Sequence, residues 1–296
     1  MAFGPAKLPP LFSTKSVQTS FATILVYSMP RFGKTNLIRS LLPHGFKPLI
    51  LATDQGDSMG LQTISDLDIP AVHIKTWEEA VLVFAELNKP RPSGRPAYQG
   101  YEFDVLVNDS LSGFGDIWMA KGLEVLGWDE VGVAGPGHDP RRIYAYIPEK
   151  GRQTAKALMS VKAHLILLCR ETLMEEGEGK TRITYPAPEL PGSKLPRELP
   201  GWLDGVVFGK IQGIGANAKR LFLTEAEGKT IAGIRAPEGR RLPKLIPADY
   251  GLLIKYMMGD DDAYRALGGT PPPKKLQKET VGLPPTVSTS TNTTKE

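Results

Sequence analysis

Short apolar runs alternate with stretches of helical spacing over most of the chain. The apolar runs predict strands at residues 23–27, 48–53, 71–74, 103–108 and 164–169. Apolar residues three and four positions apart predict helices at residues 34–42, 113–126 and 149–163. Strands that alternate with helices indicate a mostly parallel sheet with helices on both faces. The sequence therefore predicts an α/β fold.

A further helix, between the third and fourth predicted strands, has a specific start signal. Thr76 and Glu79 form a capping-box pattern, in which each side chain accepts a hydrogen bond from the other residue's backbone N–H. Val81, Phe84 and Leu87 follow at the spacing of one helix face. We therefore expect these three apolar side chains to be buried against the sheet.

The pattern changes after residue 202. Short strand patterns at residues 206–211, 220–224 and 230–235 are separated by turn residues, which predicts antiparallel hairpins at one edge of the sheet. A helix at 248–258 closes this region. Residues 1–20 are rich in Pro, Ser and Thr and are expected to form a flexible N-terminal arm. Residues 259–296 are expected to form a disordered C-terminal tail, which leaves a core at 21–258.

Composition narrows the class of protein. With 296 residues and 41% hydrophobic content, the chain can bury one sizeable core. It contains no apolar run of membrane-spanning length, and its first residues lack the apolar segment of a signal peptide. Cys169 is the single cysteine, so an internal disulfide framework is excluded and a reducing cytoplasm is expected. The four histidines show no zinc-binding spacing.

Charge is unevenly distributed, although the net charge is only +4. Residues 1–50 contain six Lys or Arg and no Asp or Glu, and residues 201–256 contain nine basic and five acidic residues. Such positive regions suit a polyphosphate and a nucleic-acid backbone. For the second region, ordinary solvated lysines are an equally good interpretation.

Residues 28–36 have the pattern of a phosphate-binding loop. Gly33-Lys34-Thr35 follows an apolar strand and opens a helical pattern, although Ser28 replaces the first glycine of G-x-x-x-x-G-K-[ST]. Loop amides and the helix start would bind phosphate, Lys34 would reach the β- and γ-phosphates, and Thr35 would ligate magnesium. The alternative is a tight turn with a solvated lysine. The predicted nucleotide-binding residues are Ser28, Met29, Pro30, Arg31, Phe32, Gly33, Lys34, Thr35 and Asn36.

Polar residues end three further predicted strands, at the edge where ligands bind open α/β sheets. Asp109 is positioned to hold magnesium together with Thr35, or else to cap the following helix. Asp54 is a candidate for positioning the attacking water, and turn formation is its alternative role. Arg170 is a candidate for sensing the γ-phosphate, and a partly exposed ion pair is its alternative.

The order of these motifs resembles the RecA-type recombinase core, in particular phage-encoded single-strand annealing and recombination proteins reduced to that core. The resemblance covers roughly residues 20–258 and rests on YSMPRFGKTNL, ATDQGD, FDVLVNDS, LILLCRE, PAPELPGSKLPRELPGWLD and TIAGIR. It implies a RecA-like P-loop NTPase fold with a mostly parallel central sheet and C-terminal antiparallel hairpins. Asp54 is shorter than the glutamate usual in this family, and Arg170 stands where relatives carry histidine or glutamine.

The resemblance also implies cofactors and partners. ATP and Mg²⁺ would be the cofactors, and single-stranded DNA would be the main partner. A homo-oligomer, as a ring or filament, and a single-strand binding protein are further expected partners. No membrane association is expected. The location would be the cytoplasm, or the host cytoplasm for a phage-encoded protein.

Two loops face DNA in the RecA-type layout. The first would span residues 127–148 and the second residues 170–200, and both have a flexible insertion as their alternative. The residues implied to contact DNA are Arg141, Arg142, Tyr144, Tyr146, Lys180 and Arg182. Arg235 is the remaining half of a Lys-x-Arg motif that reaches a neighbouring subunit's γ-phosphate, or else it pairs with Glu225 or Glu227.

The function that the sequence favours is ATP binding and hydrolysis coupled to single-stranded DNA in homologous recombination or strand annealing. The second hypothesis is a nucleotide-binding, poorly hydrolysing oligomeric scaffold, which the departures at Ser28 and Asp54 favour. A small-molecule phosphotransferase is disfavoured because the sequence shows no pattern for a lid or an acceptor pocket.

Overall fold

Twelve strands and seven α-helices make up the part of the chain that the computed structural model describes, residues 21–53, 59–129, 139, 141–178, 182–236 and 239–270. The strands are β1 Thr23–Ser28, β2 Pro48–Ala52, β3 Ala71–His73, β4 Ala97–Tyr98, β5 Tyr101–Glu102, β6 Val105–Asp109, β7 His164–Glu176, β8 Ile183–Pro188, β9 Gly205–Gln212, β10 Lys219–Leu223, β11 Gly233–Ile234 and β12 Leu245–Pro247. The α-helices are α1 Met59–Gln62, α2 Trp77–Leu87, α3 Leu111–Leu126, α4 Arg141–Met159, α5 Leu195–Glu198, α6 Tyr250–Met257 and α7 Asp261–Ala266. Short 3₁₀ helices lie at Asn36–His44, Ser65–Leu67, Leu199–Trp202 and Gly215–Asn217.

The main sheet has the strand order β12-β10-β9-β1-β7-β6-β2-β3. The six strands from β9 to β3 are parallel, whereas β10 and β12 are antiparallel at one edge. β11 pairs with the start of β9, and β8 pairs with the outer part of β7. This arrangement confirms the predicted α/β fold with a mostly parallel sheet and C-terminal antiparallel strands.

Helices cover both faces of the sheet, which explains why its central strands contain runs of consecutive apolar residues. Alternate side chains of β1 enter different cores. Leu25 and Tyr27 pack on the side of α2, α3 and α4, whereas Ile24 and Val26 pack on the side of the Asn36–His44 helix and α6. The capping box of Thr76 and Glu79 is confirmed at the start of α2. In that helix Val81 is exposed, contrary to prediction, because residues 80 and 83 occupy the buried face with 84 and 87.

The two predicted DNA-facing loops contain regular structure where the structure describes them, and residues 130–138, 140 and 179–181 of these loops lie outside the described residues. α4 begins at Arg141 rather than at residue 149 and continues through Pro148. Ile143, Ile147 and Leu158 form a buried stripe on it, and this packing outweighs the missing proline N–H. β7 likewise extends to residue 176 and pairs with β8, so residues 170–176 and 183–188 of the second predicted loop are paired strands.

The C-terminal prediction also needs a correction, because residues 261–266 of the expected disordered tail form α7. Asp260 caps this helix by accepting hydrogen bonds from the amides of Asp262 and Ala263. Tyr264 is buried against Tyr256 of α6, with ring centroids 5.4 Å apart. The cap and the aromatic contact give this short segment a fixed position.

Candidate functional site

The predicted phosphate loop connects β1 to the Asn36–His44 helix at the carboxyl edge of the parallel sheet. β1 ends at Ser28, whose side chain is fully buried. Gly33 has a φ angle of 95° and Arg31 one of 64°. Glycine adopts this left-handed conformation without steric strain, which is why the turn into the helix requires Gly33.

Lys34 lies across the loop. Its ammonium group donates hydrogen bonds to the Ser28 carbonyl oxygen at 3.0 Å and to the Ser28 hydroxyl at 3.1 Å. A third contact reaches the Met29 carbonyl oxygen at 3.4 Å. The serine at the first loop position therefore supplies a side-chain oxygen to the lysine, which a glycine could not do.

The buried serine fits because the neighbouring strand has a glycine beside it. Ser28 is the register partner of Gly209 on β9. A Cβ atom added to Gly209 would lie 2.8 Å from the Ser28 Cβ and 2.8 Å from two ring atoms of Phe32. The loop therefore packs against β9 at Gly209, where there is room for a hydrogen atom but not for a Cβ atom.

Thr35, in the loop that follows β1, contacts Asp109, the last residue of β6, although β1 and β6 are not adjacent in the sheet. β7 lies between β1 and β6, yet the Thr35 hydroxyl donates to Asp109 Oδ2 at 2.6 Å. Asp109 is not the cap of α3, because the Ser110 hydroxyl accepts the Gly113 amide at 3.2 Å. Among the described residues no group of three or more His, Cys, Asp or Glu could hold a metal ion. Two oxygen donors that leave room for phosphate and water oxygens fit Mg²⁺.

Buried polar residues position Asp109. The Asn108 amide donates to the Leu51 carbonyl oxygen at 3.2 Å and to the Thr53 hydroxyl at 3.4 Å. The Thr53 hydroxyl in turn donates to the Ser110 carbonyl oxygen. These contacts join the ends of β2 and β6, and the Asp109–Ser110 peptide bond between them is cis. Asp54, the predicted water-positioning residue, lies outside the described residues.

The side chain of Arg170 forms ion pairs, which differs from its predicted role as a sensor of the γ-phosphate. Its backbone is the register partner of Ser28, but its side chain forms an ion pair with Glu189 at 2.5 Å. Asp116 lies 3.7 Å from the same guanidinium group. The described geometry thus matches the alternative interpretation of an ion pair, and a phosphate-sensing role stays a prediction.

Glu171, the next residue along β7, faces the phosphate loop instead. Its carboxyl group lies near the Met29 amide and near Lys34, and both lower its pKa. Burial raises the pKa of Glu171, and Lys34 and the Met29 amide partly offset that increase. One carboxylate oxygen is buried and has no hydrogen-bond partner among the described residues.

Arg220 is a loop contact that the sequence did not indicate. It lies on β10, and its Nε donates to the Phe32 carbonyl oxygen at 2.5 Å. Nε is also 3.1 Å from the position that a Cβ on Gly33 would occupy. The sequence offered only a Lys-Arg pair in a predicted hairpin, and the strand order that brings it to the loop could not be read from it.

A family comparison agrees with this geometry. The family model described as AAA domain matches residues 20–236, which is well over half of the chain. The chain belongs to this AAA domain family. The family and the described sheet together give it a RecA-like P-loop ATPase fold.

Several solved structures show some similarity to this AAA domain protein. A KaiC-like protein from the archaeon Pyrococcus horikoshii OT3 is 12% identical, with 76% of this chain and 84% of that chain covered and a TM-score of 0.39. The RadB recombinase is 15% identical, with 72% and 84% covered and a TM-score of 0.38. The flagellar accessory protein FlaH from Methanocaldococcus jannaschii is 14% identical, with 68% and 76% covered and a TM-score of 0.31. At these values none of them carries information about ligands. No curated protein matches the chain.

The predicted DNA-binding residues of the AAA domain protein fall into two groups. Arg141, Arg142 and Tyr144 have exposed side chains on the first turn of α4. Tyr146 is half-buried, with Lys150 above its ring at 5.3 Å. Arg182 forms an ion pair with Glu175 on the β7–β8 hairpin, and Lys180 lies outside the described residues.

Arg235 lies near the amino-terminal ends of the parallel strands, whereas the phosphate loop lies at their carboxyl ends. It pairs with Asp204 at 3.3 Å, rather than with Glu225 or Glu227, and Asp204 accepts hydrogen bonds from Thr23 at the start of β1. β1 has six residues, so roughly 15 Å or more separates Arg235 from the loop of its own chain. Any contact with nucleotide phosphate would therefore be made in another subunit.

No helix in the described part of the AAA domain protein is long and apolar enough to span a membrane.

Proposed function

We propose that this AAA domain protein binds magnesium-ATP in the loop at residues 28–36 and hydrolyses it. The observation that carries the proposal is the 2.6 Å contact between the Thr35 hydroxyl and the Asp109 carboxylate, made across an intervening strand. A lysine, a hydroxyl and a carboxylate at one edge of a parallel sheet are the groups that phosphoryl transfer requires.

Each of these groups has a separate task. Lys34 would leave the Ser28 and Met29 oxygens and bind the β- and γ-phosphate oxygens, while the loop amides surround the polyphosphate. Thr35 and Asp109 would hold Mg²⁺, directly or through water. When bound, the ion neutralises phosphate charge and orients the terminal phosphoryl group.

Water activation has two candidates. Asp54 follows β2, which ends next to Asp109. Glu171 lies near the Met29 amide of the loop, and burial raises the pKa of its carboxyl group towards the range in which a general base is most effective. Separate substitutions of the two carboxylates distinguish these roles.

Nucleotide binding is tested by titrating purified protein with magnesium-ATP. Lys34→Ala should weaken binding at least about tenfold, because the cation facing two phosphates is lost. Lys162→Ala is the matched control, since Lys162 is an exposed lysine before β7, at the opposite edge of the sheet, and should bind as the wild type does. Equal affinity of the Lys34→Ala and Lys162→Ala proteins would overturn the assignment of the loop.

We further propose that the nucleotide cycle acts on single-stranded DNA in recombination or strand annealing. The support is the exposed cluster of Arg141, Arg142 and Tyr144, which combines cations for phosphate with a ring for base stacking. The cations of the β7–β8 hairpin are less suited, because Arg182 is already paired with Glu175.

A binding assay over a range of salt concentrations tests the DNA proposal. Arg141→Ala combined with Arg142→Ala should weaken single-strand binding and reduce the salt slope by about one to two, one phosphate contact per arginine. Arg182→Ala is the control and should have a small effect, since its charge is already neutralised by Glu175. Wild-type protein that fails to bind single strands at low salt with ATP present would contradict this proposal.

The second candidate function is an oligomeric scaffold that binds nucleotide but hydrolyses it poorly. The favouring observation is that Ser28 and Met29 hold Lys34 through three oxygen atoms of its own loop. Phosphate-release assays with and without single-stranded DNA separate the two functions, because only the first predicts turnover that DNA stimulates. A ring or filament seen by negative-stain microscopy is expected under both.

A further inference from the structure

Arg220 contacts the phosphate loop from a strand that lies two positions away in the sheet. β9 separates β10 from β1, yet Arg220 Nε donates to the Phe32 carbonyl oxygen at 2.5 Å. Among the described residues, the Arg220 guanidinium forms no ion pair with a carboxylate, and its side chain is exposed. Its charge is therefore directed at the loop rather than at a neighbouring acid.

One face of β10 is occupied by the loop. Side chains alternate between the two faces of a strand, so Arg220 and Phe222 lie on the same face and Lys219 on the other. Phe222 is fully buried, and its ring centroid is 6.2 Å from that of Phe32. Phe222 thus packs against the ring of Phe32, and Arg220 donates to the carbonyl oxygen of Phe32.

The carbonyl contact constrains the next amide. A peptide unit is planar, and in its trans form the C=O of one residue points opposite to the N–H of the next. Because the Phe32 carbonyl oxygen points to Arg220, the Gly33 N–H points away from Arg220. Amides that converge on the inner side of such a loop form the anion site. The positive φ of Gly33 lets the chain turn there.

We propose that Arg220 is a positioning residue that acts within its own chain: it fixes the Phe32–Gly33 peptide so that the loop is ordered to receive the nucleotide polyphosphate. The inference rests on the proposed function, because it concerns affinity for the same ligand. It assigns a loop-ordering cation to the antiparallel strands after β9, which were expected only to extend the sheet.

The test compares Arg220→Ala, Arg220→Lys and Lys219→Ala by titration with magnesium-ATP and magnesium-ADP. Lys219→Ala removes an equal charge from the opposite face of the same strand and should bind as the wild type does. Arg220→Ala should weaken binding of both nucleotides roughly tenfold or more, the loss expected for one charge-assisted hydrogen bond. Arg220→Lys should recover only part of the affinity, because a lysine keeps the charge but lacks the guanidinium geometry.

Chemical rescue distinguishes positioning from a general structural role. Millimolar guanidinium ion should restore part of the nucleotide affinity of Arg220→Ala but none of that of Lys34→Ala. Thermal melting without nucleotide should be similar for Arg220→Ala and Lys219→Ala. A lower melting temperature for Arg220→Ala without rescue would mean that the arginine only stabilises the fold, which would overturn the inference.

The proposed function and the role of Arg220 can be refuted separately. If wild-type protein binds no nucleotide, the proposed function fails. If Lys34→Ala loses affinity while Arg220→Ala and Lys219→Ala bind as the wild type does, the proposed function stands and the role of Arg220 is wrong.

Discussion

Replacing Gly209 by alanine should disturb the packing of the phosphate loop against β9. Gly209 lies on β9 as the register partner of Ser28. The added Cβ would lie 2.8 Å from the Ser28 Cβ and from the Phe32 Cε1 and Cζ atoms. Both neighbours are buried, Ser28 at 0% and Phe32 at 1% exposed, so neither side chain can turn away into solvent.

The size of the expected loss in stability follows from the lack of space around Gly209. Carbon atoms are in favourable contact at about 3.5–4.0 Å, so three contacts at 2.8 Å require a movement of the loop or of β9. Inserting a methyl group into a packed core typically lowers the free energy of unfolding by about 1–3 kcal/mol. Because Ser28 begins the loop and Phe32 lies within it, we expect the affinity for magnesium-ATP to fall together with stability.

Denaturant unfolding and nucleotide titration measure the two effects. Gly233→Ala is the control, because a Cβ at Gly233 has no atom within 4 Å and its backbone has no positive φ. Adding Ser28→Gly to Gly209→Ala removes one of the three close contacts and should recover about 0.5 kcal/mol or more through coupling. If Gly209→Ala unfolds and binds nucleotide like Gly233→Ala, the packing argument is refuted.

Three further predictions concern other parts of the molecule. If Asp54 activates water, Asp54→Asn should keep ATP binding while turnover falls by about 10²-fold, and unchanged phosphate release would move this role to Glu171. Burial lowers the pKa of His164 from 6.5 to about 4, so acid favours the unfolded chain, whose imidazole binds a proton more readily. Stability should therefore fall as the pH drops through this range, and His164→Asn should flatten the melting temperature against pH; an equally steep profile would assign the decline to other groups. If Arg235 acts in trans, inactive Arg235→Ala and Lys34→Ala proteins should regain turnover when mixed, whereas normal turnover by Arg235→Ala alone would make it structural.

Local features of the sequence were sufficient to predict the fold class and the phosphate-binding loop. The strands β1, β2, β6 and the inner part of β7 are continuous apolar runs because helices cover both sheet faces, and such runs can be recognised without knowing their partners. The capping box at Thr76 and Glu79 was also predictable, since its two hydrogen bonds join residues three apart. Asp109 was indicated in the same way, as a carboxylate that ends an apolar strand.

Boundaries and exposure were less predictable because they depend on what packs against each element. Pro148 suggested the end of a loop, yet α4 passes through it because Ile143, Ile147 and Leu158 are buried against the rest of the fold. Residues 170–176 suggested a loop as well, and they form a strand because β8 supplies a partner. Antiparallel pairing of this kind is decided by a second segment of the chain.

Tertiary structure alone decided which side chains surround the loop. Gly209 and Arg220 reach it because β9 lies beside β1 and β10 follows β9 in the sheet, although both strands are far from the loop along the chain. Glu171, rather than Arg170, faces it because successive residues of β7 point to opposite sides. The sequence determined the strand, loop and helix through contacts among near neighbours. The strand order depends on packing between distant segments, and it determines the surroundings of Lys34 and Thr35.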